Sequence, residues 1–326
     1  MEKVWKVLVT RDIPQVGVDI LKKYCEVDVN TQDIPLSKNE IIDKLRGKQA
    51  LCCIGTEIID DEIISSEPSL KVIANYAVGY DNIDVKAATK RGIMVTNTPG
   101  VLTEAVAEMT WCLLLCVARR VIEADSFVRA GKFKGSGPKF FLGTEVKDKT
   151  LGIVGAGRIG TEVAKKSQVF NMKILYHDLV KNRELEKMGG EKVDLDYLLK
   201  KSDFVSIHVP LTDNTKHLIG ERELGLMKKT AYLINTSRGA VIDEVALVKA
   251  LKEERIAGAA LDVYEKEPEL TEGLSQLKNV VLTPHIGSAT KETRDKMAIM
   301  MAENCIAALK GETPPNLVNP EVLKNS

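Results

Sequence analysis

Short apolar runs alternate with amphipathic stretches along most of the chain. Those at 4–9, 27–29, 50–54, 70–76 and 93–95 predict the strands of a small parallel sheet, with helices between them. Between them, 16–24 and 38–45 carry apolar residues at helical intervals, and Gly92 behind Lys90-Arg91 has the form of a helix stop. A second series, with runs at 151–154, 173–176, 204–209, 231–235, 258–262 and 280–282, has helices between its strands, such as 196–201 and 244–253. The fold class is therefore α/β, with two open, doubly wound parallel sheets. One helix is expected at 103–120, with further helix to 130, and another at 291–310. The last cannot easily extend the second sheet and is expected to cross back onto the first. Residues 1–98 and 288–326 would then form one discontinuous domain and 99–287 the other. The Asn97-Thr98-Pro99-Gly100 turn is a candidate hinge for domain closure. The tail, with Pro314, Pro315 and Pro320, is expected to be extended.

The run at 151–154 meets Gly155, Gly157 and Gly160 at G-x-G-x-x-G spacing, and a helix pattern begins with Ile159 and Val163. Gly155 permits the tight turn, Gly157 lets a pyrophosphate approach the backbone, and Gly160 lets helix and strand pack closely. The helix N-terminus then offers N–H groups and a positive dipole end to phosphate. A second strand ends in Asp178, about twenty residues on, placed to accept hydrogen bonds from an adenosine ribose. The sequence thus predicts a dinucleotide. Asp178 favours NAD over NADP, because a 2′-phosphate would face a carboxylate, although Lys181 and Arg183 lie close enough to soften that repulsion. The first series has no such glycine loop. Ligands of open α/β sheets sit beyond the carboxyl ends of the strands, which directs attention to residues 75–80.

Composition narrows the partners. Lys plus Arg and Asp plus Glu number 46 each, so no basic field recommends nucleic acid or an anionic membrane. The most apolar helix, around 109–121, is interrupted by Arg119 and Arg120 and flanked by Glu104 and Glu108, too short and charged to span a bilayer. The chain passes directly into its first strand without a signal peptide, and a cytoplasmic location is expected. The six cysteines, among them Cys52-Cys53 in a strand and Cys112 and Cys116 on a helix, show no metal-ligand spacing. No metal is expected, and the thiols read as small buried hydrophobes. The 131–143 segment is rich in glycine, lysine and phenylalanine. Its aromatics are covered either by another subunit or by the loop's own body.

Three strand ends of the second series deliver chemistry. Asn235-Thr236-Ser237-Arg238 follows one, the 262–268 segment with Glu267 the next, and Thr283-Pro284-His285-Ile286-Gly287 the last. If those strands are parallel neighbours, Arg238, Glu267 and His285 gather where a nicotinamide would lie. Arg238 can grip a carboxylate with its fork of N–H donors and polarise an adjacent carbonyl. His285 can give a proton to that carbonyl as hydride arrives, and Glu267 would hold the imidazole tautomer and favour its charged form. Each residue alone also has a plain structural reading, His285 as a satisfied turn residue and Glu267 as a solvated acid. His177 and His217 are weaker candidates, and His208 has a place flanking the cofactor.

These motifs, Gly155-Ala156-Gly157-Arg158-Ile159-Gly160, Ser237-Arg238-Gly239, the 262–268 segment and Pro284-His285-Ile286-Gly287-Ser288, resemble the D-2-hydroxyacid dehydrogenase family over nearly the whole chain. Within it, 75–84 and 96–104 look most like glyoxylate/hydroxypyruvate reductases. The resemblance implies a flavodoxin-like substrate domain and an NAD-binding Rossmann domain, with reduction of a small 2-keto acid to a D-2-hydroxy acid. It implies Arg238, Glu267 and His285 as the catalytic trio, and Ala77, Val78 and Gly79 with Arg238 and His285 around the substrate. Thr103, Gly155, Gly157, Arg158, Ile159, Gly160, Asp178, Val209, Pro210, Thr215, Thr236, Ser237, Asp262, Gly287 and Ser288 would line the cofactor. It also implies a homodimer joined through the helix at 103–120 and the loop beyond.

NADPH-accepting reductases of this branch often have Ser, Arg or Thr where this chain has His177-Asp178-Leu179, so NADH is expected. The 3-phosphoglycerate branch usually has arginine where Asn75 stands, and formate dehydrogenases pair the histidine with glutamine rather than an acid. The alternatives are another member of the family, a D-3-phosphoglycerate dehydrogenase or a phosphonate dehydrogenase, which shares the trio, and a non-catalytic NAD-sensing interaction protein.

Overall fold

The computed structural model describes residues 5–32 and 34–324, so Val4, the expected start of the first strand, lies outside it. Strand β1 (Trp5–Val9) leads into helix α1 (Gln15–Lys22), β2 (Cys25–Val29), α2 (Lys38–Leu45), β3 (Ala50–Ile54) and α3 (Asp61–Ser65). Then come β4 (Val72–Tyr76), α4 (Val85–Lys90) and β5 (Met94–Thr96). These strands pair in parallel in the order β2-β1-β3-β4-β5. All of β4 is buried, its one amide side chain, Asn75, included, and the strand opens on the apolar Val72-Ile73-Ala74. Helices α3 and α4 are too short for periodicity to reveal. Their signals are the capping acids Asp60 and Asp84, which accept from the N–H groups of Ile63 and Ala87.

The second unit opens with α5 (Thr103–Arg119) and α6 (Val121–Arg129). The expected helix through 120 is broken at Arg120, whose left-handed backbone (φ 56°) turns the chain between the two. There follow β6 (Thr150–Val154), α7 (Arg158–Ser167), β7 (Lys173–His177), α8 (Arg183–Lys187), β8 (Glu191–Lys192), α9 (Leu195–Lys201) and β9 (Phe204–Ile207). The unit continues with α10 (Glu221–Leu226), β10 (Tyr232–Asn235), α11 (Glu244–Lys252), β11 (Gly258–Leu261) and β12 (Val280–Leu282). The seven strands are parallel in the order β12-β11-β10-β9-β6-β7-β8, so the winding reverses between β6 and β9. One core packs Ile153, Phe204 and Ile234 beneath Trp111 of α5 and Val163 of α7. The other packs Val205, Leu233 and Leu261 beneath Leu247 and Leu251 of α11. Strand β9 ends at Ile207, so His208 and Val209, expected inside it, begin the following loop.

Helix α12 (Lys291–Leu309) packs on α1 and β4 of the first sheet. Contacts divide the chain into Met1–Leu102 with Ala289–Ser326, and Thr103–Ser288. The tail is not extended to its end. Asn319 is buried, donates to Thr89 Oγ1 (2.8 Å) and Ile93 O (2.9 Å), and accepts from Val95 N–H (2.8 Å), after which Pro320–Lys324 coils into a 3-10 turn. Among the described residues no helix is long and apolar enough to cross a membrane. All six cysteines are free. Cys25, Cys52, Cys53 and Cys305 are buried, but Cys112 is exposed on α5 and Cys116 half-buried, contrary to the uniform burial expected.

The contact of α1 with α12 depends on one missing side chain. A Cβ on Gly17 would stand 2.8 Å from both the Cβ and the carbonyl oxygen of Ala298. Gly17→Ala is expected to lower stability by roughly 1–3 kcal/mol of overpacking, offset in part by about 1 kcal/mol of helix propensity. Urea unfolding reads the balance, and a variant as stable as the parent would show that the two helices are not this close.

Candidate active site

The three motif glycines have separate structural reasons. Gly155 has φ 96°, and a Cβ there would lie 2.7 Å from the backbone at His208 and Val209. A Cβ on Gly160 would lie 2.1 Å from Gly155 O, so α7 packs on its strand only with hydrogen there. Gly157 differs, since nothing lies within 4 Å of the place its Cβ would take. It is also the N-cap of α7 and supplies no capping side chain, whereas α2, α3, α4, α8, α9, α11 and α12 each begin with a side-chain cap. The first turn of α7 thus keeps unsatisfied N–H groups beside open space, with Arg158 exposed and Ile159 half-buried next to it. Asp178 immediately follows β7. Its Oδ2 accepts from Ala156 N–H (2.7 Å) and its Oδ1 from Val180 N–H (3.1 Å), which brings the acid against the glycine turn. This region fits a dinucleotide, with room and donors for a pyrophosphate and a carboxylate at the next strand end for ribose hydroxyls.

The other expected cofactor residues lie in the same unit. Val209 and Pro210 follow β9, and Thr215 closes their loop by donating from Oγ1 to Pro210 O (2.6 Å). Thr236 and Ser237 follow β10. Ser237 donates to Asn235 Oδ1 (2.8 Å), and the hydroxyl of Thr236 lies 2.9 Å from that of Thr110 on α5, a partner the sequence did not indicate. Gly287 and Ser288 follow β12, and Thr103 is the first residue of α5. Apart from Thr103, all sit beyond the carboxyl ends of parallel strands.

Arg238, Glu267 and His285 come from the ends of three adjacent strands, β10, β11 and β12. Nδ1 of His285 lies 2.8 Å from Glu267 Oε2, and a carboxylate there selects the tautomer with its proton on Nδ1. Glu267 Oε1 accepts from Tyr264 N–H (2.9 Å). Burial opposes ionisation of Glu267, but the His285 hydrogen bond and charge, the Tyr264 N–H and the Arg238 guanidinium outweigh it and hold the carboxyl below its usual pKa. Arg238 donates from Nη1 to Ser237 O (2.9 Å), and Asn235 donates to Arg238 O (2.9 Å), fixing the turn that carries it.

His285 has a left-handed backbone (φ 54°). Asp262, buried at the end of β11, holds that turn. It accepts from Thr283 Oγ1 (2.6 Å), Ile286 N–H (2.8 Å) and Gly287 N–H (2.7 Å), and its own carbonyl accepts from His285 N–H (2.9 Å). The Tyr264 hydroxyl donates to Thr283 O (2.9 Å), and burial first of all raises the phenol pKa to about 12, so it remains a donor. The sequence marked Asp262 as a cofactor residue and missed this clamp; its position directly before the Glu267 segment was the available signal. The remaining histidines do not join the group. Desolvation drives His208 down to about 3, leaving it neutral beside Ser206 Oγ (2.8 Å). His217 pairs with Glu265 (2.8 Å), and His177 lies 3.1 Å from Val193 O.

In the first unit, Ala77, Val78 and Gly79 follow β4. Their carbonyls accept from Thr98 N–H (2.8 Å), Asn97 Nδ2 (2.7 Å) and Asn75 Nδ2 (2.8 Å), while the N–H groups of Val78 and Gly79 donate to no backbone carbonyl among the described residues. Among those residues, too, no cluster of three or more His, Cys, Asp or Glu side chains is suited to a metal.

A glycine turn suited to a dinucleotide and a histidine–carboxylate pair at strand ends of the same sheet are the parts an oxidoreductase needs to interconvert a hydroxyl and a carbonyl group. The family model for the D-isomer specific 2-hydroxyacid dehydrogenase NAD-binding domain matches residues 111–287. The chain belongs to the D-isomer specific 2-hydroxyacid dehydrogenase family, and it uses a nicotinamide cofactor. It is 54% identical over 98% of both chains to a protein of Thermococcus litoralis named glyoxylate reductase. Among solved structures, the TT0316 protein of Thermus thermophilus is 43% identical with a TM-score of 0.90, over 96% of this chain and 99% of that one. An NADPH-dependent glyoxylate/hydroxypyruvate reductase of Sinorhizobium meliloti, solved with NADP and malonate, is 31% identical with a TM-score of 0.88 over 98% of each.

The glycines give a separable test. Gly157→Ala is expected to leave unfolding unchanged while weakening NADH binding tenfold or more, about 1.4 kcal/mol. Gly160→Ala is expected to destabilise the protein itself. Denaturation and NADH fluorescence titration of both variants check the pair, and a Gly157→Ala protein with parental affinity would remove the pyrophosphate from that site.

Proposed function

We propose that this protein reduces glyoxylate and hydroxypyruvate to glycolate and D-glycerate, with NADH preferred over NADPH. The observation that carries the chemistry is the 2.8 Å contact between His285 and Glu267 on strand ends of the sheet that bears the glycine loop. The substrate reading draws on the glyoxylate reductase named at 54% identity over nearly the full chain.

A nicotinamide held at this edge would supply the hydride for the keto carbon. Arg238 binds the substrate carboxylate and draws electron density towards the keto oxygen. The proton goes to that oxygen from Nε2 of His285, the ring nitrogen opposite the one facing Glu267, and returns to it in the oxidation direction. Glu267 keeps the Nδ1 proton in place and stabilises the imidazolium. Asp262 acts at one remove by holding the turn that carries His285. The 77–79 loop provides further N–H donors for the carboxylate. Thr103, Arg158, Ile159, Val209, Pro210, Thr215, Thr236, Ser237, Gly287 and Ser288 complete the dinucleotide site around Gly155, Gly157 and Gly160. Asp178 takes the ribose hydroxyls and disfavours a 2′-phosphate; the NADPH-dependent Sinorhizobium relative makes that preference a point to measure.

A homodimer in the cytoplasm is part of the proposal. Helix α6 buries none of its residues, and Val121, Ile122, Val128, Phe133 and Leu142 are exposed. Phe127 packs edge-on against Phe140 and Phe141, so the loop folds partly on its own body and still leaves an apolar face for a second copy.

Consumption of NADH with glyoxylate, followed by absorbance and compared with NADPH, tests the reading directly. NADH is expected to give the higher kcat/KM, and absence of turnover on every small 2-keto acid would overturn it. His285→Asn is expected to bind NADH normally and lose roughly 10²–10⁴-fold in kcat, the range for a positioned acid–base group. Survival of turnover within tenfold would assign the proton to another residue.

A further inference from the structure

The proposed carboxylate loop at 77–79 is held through a polar chain that the catalytic reading does not use. Asn75 is fully buried and donates from Nδ2 to Gly79 O (2.8 Å) and to Asn82 Oδ1 (3.2 Å). Asn82 in turn donates from its own Nδ2 to Ile54 O (3.2 Å) and Glu57 O (2.9 Å), just past the end of β3. Glu57 is buried as well, and its Oε2 accepts from Ile54 N–H (3.0 Å) and from the hydroxyl of Thr10 beyond β1. The carboxyl ends of β1, β3 and β4 are thus tied by side chains, and the chain ends on the Gly79 carbonyl.

We infer that Asn82 is a positioning residue for substrate binding, fixing the orientation of the Asn75 amide and through it the 77–79 loop. A primary amide is nearly symmetric in shape and can flip. The flipped Asn75 would turn its oxygen toward the oxygen of Gly79, replacing an attraction with a repulsion. Beside Gly79 O itself, two neighbours oppose the flip, the Asn82 Oδ1 acceptor and the Cys53 thiol, which donates to Asn75 Oδ1 at 3.6 Å. The two strand-end carbonyls that Asn82 serves pin its own amide in the orientation that offers oxygen to Asn75. Loss of Asn82 leaves the Asn75 amide bonded to Gly79 O but no longer anchored to Ile54 and Glu57, so amide and Gly79 peptide can turn together and carry the neighbouring N–H groups away from the anion.

The inference rests on reading 77–79 as the carboxylate loop, and its test separates the two. In Asn82→Ala, KM for glyoxylate and the inhibition constant of oxalate are expected to rise together by tenfold or more, with kcat within threefold and NADH Kd within twofold. A general loss of structure would move NADH affinity, kcat and unfolding as well. Asn82→Ser, whose hydroxyl is too short to reach Asn75, is expected to show the same split and decides the matter should the alanine variant not fold. KM and oxalate inhibition within twofold of the parent in a folded variant, or an equal decline in NADH affinity, would overturn the inference. If the parent protein turns over no 2-keto acid, the functional reading fails instead. Calorimetric binding of oxalate to the NADH-saturated parent and Asn82→Ser proteins then judges Asn82 by the same tenfold criterion.

Discussion

The buried carboxylate of Asp262 is the constraint around which the chemical end of the second unit is arranged. It stands at the end of β11, is almost fully buried, and satisfies both oxygens with donors from the 283–287 turn. That turn holds His285 in a left-handed backbone, which for a non-glycine residue costs about 1–3 kcal/mol. Hydrogen bonds to a charged group contribute about 1.5–3 kcal/mol each, so three of them outweigh the strain. Asparagine at 262 would keep one oxygen for Thr283 and Ile286 but turn its amide NH2 toward Gly287 N–H, donor against donor, and so loosen the turn that keeps the histidine in this conformation. The imidazole does not choose its place; the acid beneath it does.

Parallel strands extend the same logic across the sheet. All seven point one way, so each one's end delivers a residue to the same edge, and the reversal of winding between β6 and β9 opens a crevice there. Glycine creates space at one end of that edge and contact elsewhere. The emptiness beside Gly157 is where a phosphate has room, while Gly239 sits so close to Tyr264 that a Cβ would fall 1.8 Å from its carbonyl carbon. That contact locks the Arg238 turn against the Glu267 segment. Buried Glu244 reinforces it from α11 by accepting from Glu265 N–H (2.7 Å) and Thr271 Oγ1 (2.7 Å).

What was legible in the sequence follows from what the physics makes local. Buried parallel strands announce themselves as apolar runs, and Ala50–Ile54 and Val280–Leu282 have the bounds read from the chain. The glycine turn and Asp178 were readable because their spacing is set by backbone geometry. Arg120 was not, since a left-handed arginine between two helices has no compositional mark. The 3-10 turn at the tail was hidden because Asn319 is fixed by partners more than 200 residues away in sequence, and prolines alone suggested extension. In the site, residues that present a functional group beyond a strand end were visible. Those that hold other side chains were not, because Thr110, Asn82 and Glu244 acquire meaning only through contacts made in the fold. Asp262 belongs to both groups: its position was visible and its clamp was not.

Asp262 acts through His285. Measuring kcat for glyoxylate at saturating NADH in Asp262→Asn, His285→Asn and the double variant tests it as a cycle. Asp262→Asn alone is expected to be strongly impaired and the double variant no slower than His285→Asn, since a clamp has nothing to offer once its imidazole is gone. Losses that multiply in the double variant would contradict it and give Asp262 a role of its own.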